Sequence, residues 1–220
     1  MYRLTDPPPG IDPDSVDALW TDLERVVVAA IQRLARKVET DADRGLLVNH
    51  VATLGVRHPG FGEATNRWRA ERGEPPVRGD DIHADRVRSL YVTLPFLRDL
   101  RWRALHSPKQ AHPFLLSDLG WAYVGETGRP GRGIFVPLNR RVALFGWRDP
   151  AGTRGVDHRT LQPSWVKWFN AVTWSEAPRF VVGHPNDAPL LERLRTPDEL
   201  AMSLAGRGPY RGMTAALFDL

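Results

Sequence analysis

In the stretch FLLSDLGWAYV (residues 114 to 124), a hydroxyl and a carboxylate, Ser117 and Asp118, interrupt what otherwise reads as buried strand. A carboxylate at a strand end can orient a base, hold a cation or accept hydrogen bonds from a ligand. The competing reading is a turn in which both side chains satisfy neighbouring backbone groups. Asn139-Arg140-Arg141 follows the apolar run IFVPL and comes near Ser117 if those strands pair. Guanidinium groups offer planar, bidentate donors to phosphate. Arg140 and Arg141 are therefore candidate ligand-binding cations, with a solvated strand end as the alternative. His184 follows the apolar run at 179–183, in a loop from which an imidazole could act as acid or base. Asp118 and His184 are the candidate catalytic residues, and Ser117 a candidate ligand contact.

Other constellations carry less chemistry. The loop GETGRPGRG (125 to 133) sets Arg129 and Arg132 among glycines, but it runs from strand to strand. A phosphate loop of the dinucleotide or Walker type runs from strand into helix. No G-x-S-x-G surrounds Ser117, which argues against a nucleophile elbow. The histidines include no HExxH, and the acids Asp80, Asp81 and Asp85 around His83 suit a helix start. No metal and no cofactor are expected. Trp102 lies between Arg101 and Arg103, where it could stack on a base or pack inward beneath two solvated arginines.

The 220 residues suffice for one domain with a full core, 42% of them hydrophobic and 25% charged. The longest apolar run is VVVAAI, far short of the ~20 residues of a membrane span. No basic region followed by an apolar stretch opens the chain, and cysteine is absent, so a soluble protein of a reducing cytoplasm is expected. The net charge is +4 and only Lys37, Lys109 and Lys167 are lysines. That arginine-rich, modestly basic balance is compatible with phosphate or nucleic-acid partners.

The elements that must position these residues follow from periodicity. Residues 1–11 read as an extended, proline-rich arm. Asp12-Pro13-Asp14 then opens a helix over 13–39 with Val16, Leu19, Trp20, Leu23, Val27, Ile31, Leu34 and Val38 on one stripe. Further helices are expected over 41–56 and 63–71, and from Asp80 or Asp81 to Pro95, which kinks the helix or restarts it over 96–105. Strands are expected at 114–118, 121–124, 134–138, 142–147 and 179–183, sharing one sheet, with a helix over 160–176. The tail from 196 to 220 is ambiguous. The expectation is a single α+β domain over residues 1–220, its helical N-terminal half packed on a mostly antiparallel sheet from the C-terminal half.

The order of VRHPGF, PFLLSDLGWAYV, IFVPLNRRVALFG and VKWFNAVTWSEAPRFVV resembles domain of unknown function 4238. The likeness spans about residues 14–184. Arg57-His58-Pro59 stands where that family has Arg-Thr-Pro, and Ser117-Asp118 where it has Ser-Asp-Asn-Pro. Pro137-Leu138 matches its Pro-Leu strand, and Asn170 its helix asparagine. Leu119-Gly120 replaces the Asn-Pro, and the family's N-terminal His-Tyr-Val-Pro motif is missing. The resemblance adds Arg57 and Asn170 to the candidate ligand-binding residues but implies no activity. The resulting expectation is a protein that binds, and could hydrolyse, RNA or another phosphate-bearing ligand. The alternative is a non-catalytic interaction subunit whose missing strand a partner supplies at an open sheet edge.

Overall fold

A computed structural model describes residues 3–7, 9–58, 60–124, 133–149, 151, 155–177 and 181–183. His184, the loop arginines Arg129 and Arg132, and the C-terminal tail lie outside them. The architecture is α+β: helices fill the N-terminal half and a mostly antiparallel sheet the C-terminal half. Chain contacts divide it into two compact units, residues 1–33 with 39–98 and residues 34–38 with 99–220.

Helix α1 spans Ser15–Arg36, its residues up to Arg33 belonging to the first unit. Asp12 prepares its start, accepting from the Asp14 amide through its side chain (2.9 Å) and from the Ser15 amide through its carbonyl (3.0 Å). Trp20, Val27 and Leu34 are buried along the expected stripe, but Leu19 and Val38 are exposed. Helix α2, Asp41–Arg57, begins with a capping box. The Thr40 hydroxyl accepts from the Asp43 amide, and the Asp43 carboxylate accepts from the Thr40 amide. That arrangement satisfies two otherwise orphaned donors. Arg33 adds a hydrogen bond to the same carboxylate (2.8 Å). At the other end of α2, buried Arg86 donates to the Val56 carbonyl, one of the acceptors a helix C-terminus leaves open.

Helix α3 covers Phe61–Ala70, and helix α4 Asp81–Arg98. Asn66 ties the Pro-rich connection between them, accepting from the Val77 amide (2.7 Å) and donating to its carbonyl (3.1 Å). Pro95 lies inside α4 and neither stops nor restarts it. It falls in the last turn, where the missing amide costs one helix bond and no turn beyond. The expected helical restart over 96–105 is overturned: the chain leaves the helix at Arg98 and enters strand β1, Arg101–His106.

The second unit holds β1, β2 (Leu116–Ser117), β3 (Ala122–Val124), β4 (Gly133–Pro137), β5 (Val142–Trp147), β6 (Val156–Thr160), helix α5 (Pro163–Glu176) and β7 (Val181–Val182). The main sheet runs β3-β4-β5-β1-β6. Its pairs are antiparallel except β1 with β6. The single-sheet expectation needs correction, because β2 and β7 pair with each other in a separate two-stranded ribbon. Every residue of central β5 is buried. Phe135, Phe145 and Phe169 form the aromatic heart, Phe169 of α5 stacking on Phe135 at 4.3 Å between centroids. On the opposite face of β5, Gly146 lies beneath the Trp102 indole. A Cβ there would come within 2.6 Å of that ring, so the glycine is what admits the tryptophan.

Candidate functional site

Asn170 is fully buried in α5. Its amide accepts from the Leu115 amide (2.9 Å) and donates to the Pro113 carbonyl (2.8 Å). The Phe114 amide meanwhile donates to the Arg140 carbonyl in the β4–β5 turn (2.9 Å). Asn170 and the Arg140 backbone thus grip one three-residue segment from two sides, and Ser117 and Asp118 follow directly from it. Ser117 is buried, and both its carbonyl and its hydroxyl accept from the Gly120 amide (3.0 and 3.2 Å). Gly120 itself has φ +78°, the left-handed conformation such a turn requires. Asp118 is half-buried within that turn.

Arg141 directs its guanidinium at the backbone. It donates to the carbonyls of Pro108 (2.9 Å) and Ala111 (3.0 Å) and wraps the loop after β1. Arg140 is exposed at the tip of the β4–β5 turn. Arg57 belongs to the first unit, where it pairs with Glu24 and lies over the Trp20 ring at 5.9 Å.

Two clusters came without warning from the sequence. On one face of the β1–β6 pair, Arg103 makes two hydrogen bonds to Asp157, at 2.9 and 2.8 Å. Arg101 reaches Asp149 and Asp157 at 3.4 and 3.5 Å, and both guanidinium groups lie about 5 Å from the Trp147 ring. Burial opposes charge on Asp157, but the paired bonds and charges of Arg103 and Arg101 outweigh it. The carboxyl is held below its ordinary value. Trp102 packs on the other face of β1, 4% exposed.

The second cluster is a histidine pair. His106 ends β1, His158 sits on β6, and their rings meet with Nε2 of His106 at 3.0 Å from Nδ1 of His158. One imidazole N–H donates across this contact and the other nitrogen accepts, so a proton can be handed between rings. In the neutral pair the two outer nitrogens, Nδ1 of His106 and Nε2 of His158, are always one N–H and one lone pair. Proton uptake at the outer lone pair, transfer of the bridging proton and proton release from the other outer nitrogen together exchange those roles. The parallel register sets this geometry by bringing His106 beside Thr160 and His158 beside Ala104. Alternation in the first four residues of RWRALH is the signal that could have exposed β1, hidden by its arginines, while VDHRT carries no such alternation.

Among the described residues no three His, Asp or Glu side chains gather as a metal set, and no helix is long and apolar enough to cross a membrane. Compared with family models, curated proteins and solved structures, the chain finds no match.

Proposed function

We propose that this protein binds a phosphate-bearing ligand, single-stranded RNA in the first instance, at the C-terminal ends of β1 and β6, and cleaves it by proton transfer through His106 and His158. The hydrogen-bonded imidazole pair is the observation that carries this reading. His106 ends β1 and His158 lies on its parallel neighbour β6, so the pair is presented toward the carboxyl ends of these two strands. Arg140, two residues before the β1-paired Val142, supplies exposed positive charge in the neighbouring turn. The net charge of +4 agrees with a polyanionic partner.

RNA needs no outside nucleophile. One outer imidazole nitrogen takes the proton of a 2′-hydroxyl, whose oxygen attacks the adjacent phosphorus. The leaving 5′-oxygen takes the proton offered by the other outer nitrogen, giving a cyclic phosphate and a 5′-hydroxyl. Passing the bridging proton between rings completes the relay. Asp118 and Ser117 shape the neighbouring turn in this reading, and Asn170 positions the segment that carries them. The resemblance to domain of unknown function 4238 remains part of the proposal, resting on motif order.

Binding of a fluorescent single-stranded RNA across a salt series tests it. Arg140→Ala should lower the slope of log affinity against log salt by about 0.7. His106→Ala and His158→Ala should each leave that slope unchanged and cut cleavage by roughly 10²–10⁴-fold, the usual span of general acid–base catalysis. An affinity indifferent to salt in the unaltered protein refutes the proposal. The second reading is favoured by β6, a sheet-edge strand with no neighbour on its outer side among the described residues. A partner strand adding there would give a stable heterologous complex without RNA affinity.

A further inference from the structure

The first unit contains a groove unrelated to the histidine pair. Residues 4–7 and 9–16 lie along the start of α4, and the Leu4 amide donates to the Pro13 carbonyl (2.8 Å). Asp80 fastens that arm to the helix. Its Oδ1 accepts from the amide and hydroxyl of Thr5 (both 2.8 Å), and its Oδ2 from the Asp6 amide (2.7 Å). Between arm and helix lies an open groove of about 740 Å³, with Leu4, Ile11 and Val16 on one side and Val87, Tyr91 and Val92 on the other. That volume falls in the range of small-molecule sites, about 300–1,000 Å³. Tyr91 and Val92 are 71% and 73% exposed, a large apolar area for a helix face in water.

The polar part of the lining has one sign in excess. Asp6, Asp80 and Asp81 stand against a single guanidinium, Arg88, which is already paired with Asp85. The Thr5 and Asp6 amides hold the Asp80 carboxyl below its ordinary value, so it stays charged at neutral pH. Burial, then the positive charge of Arg86 and, less, that of the chain's α-ammonium, lower the His83 imidazole against the pull of Asp80, so it is neutral there and adds no charge of its own. In a chain of net charge +4 this is a local reversal. An apolar trough rimmed by carboxylates matches a molecule with an apolar body and one ammonium group.

We propose that the groove between the N-terminal arm and α4 binds a monocationic amphiphile, an amine on an aromatic or alkyl body. The body lies along Val16, Val87 and Val92, and the ammonium lies near Asp6 and Asp81. Asp80 is a positioning residue, holding the arm that forms one wall.

The test titrates the full chain with dansylcadaverine and, separately, with its uncharged N-acetyl derivative, reading dansyl fluorescence. Saturable binding of the amine is expected, with the acetylated probe about threefold to tenfold weaker, as partly exposed charge pairs allow. Asp6→Asn with Asp81→Asn should abolish that preference while leaving the acetylated probe's affinity unchanged. Val92→Arg changes an exposed position and should weaken both probes at least tenfold with an unaltered circular dichroism spectrum. Equal affinity for the two probes, absence of saturable binding, or indifference to Val92→Arg overturns the proposal. So does a concentration-dependent dimer that Val92→Arg dissociates, which would give the face to a second copy of the chain.

Discussion

Asn170 shows how one side chain can order a neighbourhood. Its amide gives one donor and one acceptor to the backbone of 113–115, in a place with no solvent exposure. Asn170→Ala strands a buried N–H and a buried C=O together, and should cost about 2–4 kcal/mol in urea unfolding. Asn170→Asp keeps the acceptor for Leu115 but turns a carboxylate oxygen on the Pro113 carbonyl. Asn170→Asp should therefore also destabilise, less at pH 4 than at pH 7, since protonation restores a donor. The Arg103–Asp157 pair tests the opposite balance. Arg103 is nearly buried while the Asp157 side chain is 40% exposed. Asp157→Ala then leaves a guanidinium poorly solvated, for about 1–3 kcal/mol, less than a fully enclosed pair would lose. A loss under 0.5 kcal/mol would show that water replaces the carboxylate.

At the scale of elements, caps and stripes made the helices legible. The Asp12 turn and the spacing of Trp20, Val27 and Leu34 announced α1, whereas the Thr40–Asp43 capping box that opens α2 became visible only in the structure. Strands β4 and β5 were legible as apolar runs. Strands β1 and β6 were not, because Arg101, Arg103, Asp157 and Arg159 read as solvated charge, whereas the fold neutralises the first three against each other. The candidate site shared that fate. Ser117 and Asp118 were marked by position and Asn170 by the family resemblance, but the histidine pair depends on a parallel register between segments that charge had disguised. Gly146 offers a test at this scale. Gly146→Ala drives a Cβ against the Trp102 ring, so ring or strand must shift, and overpacking of this kind costs about 1–3 kcal/mol. Trp102→Leu in the same background should recover part of the loss.

Across the whole molecule, the acid-sensitive groups pull one way. Burial, with a smaller contribution from Arg57, lowers the His50 imidazole, and burial lowers His83. Hydrogen bonds from Arg33 and Thr40 hold Asp43 far below the usual carboxylate range, and Asp80 and Asp157 are lowered too. In each case the unfolded chain binds the proton more readily, so stability falls as pH falls. The histidine contribution is complete above their ordinary value, about 6.5, and is lost as pH drops through and below it. The carboxylate contribution is complete above roughly 3.9–4 and is lost below that. Thermal unfolding should therefore weaken in two stages, near pH 6 and below pH 4. His50→Gln should flatten the upper stage alone, and a Tm that rises between pH 7 and pH 5 would contradict it.

The position of β1 has a kinetic consequence. It lies between β5 and β6, yet it precedes both in the chain, and His158 comes 52 residues after His106. On a ribosome adding about 5–20 residues per second, β1 waits roughly 3–10 s for its last partner. One of its hydrogen-bonding edges stays open until β5 is made and the other until β6 is, each exposed meanwhile to other nascent chains. Long-range pairings of this sort slow folding because loop closure precedes any contact that rewards it. The arginines flanking Trp102 then have a second use, since charge within an unpaired strand discourages association with a like copy. Arg101→Val with Arg103→Val should thus raise the aggregated fraction during refolding more steeply with protein concentration than its equilibrium instability accounts for.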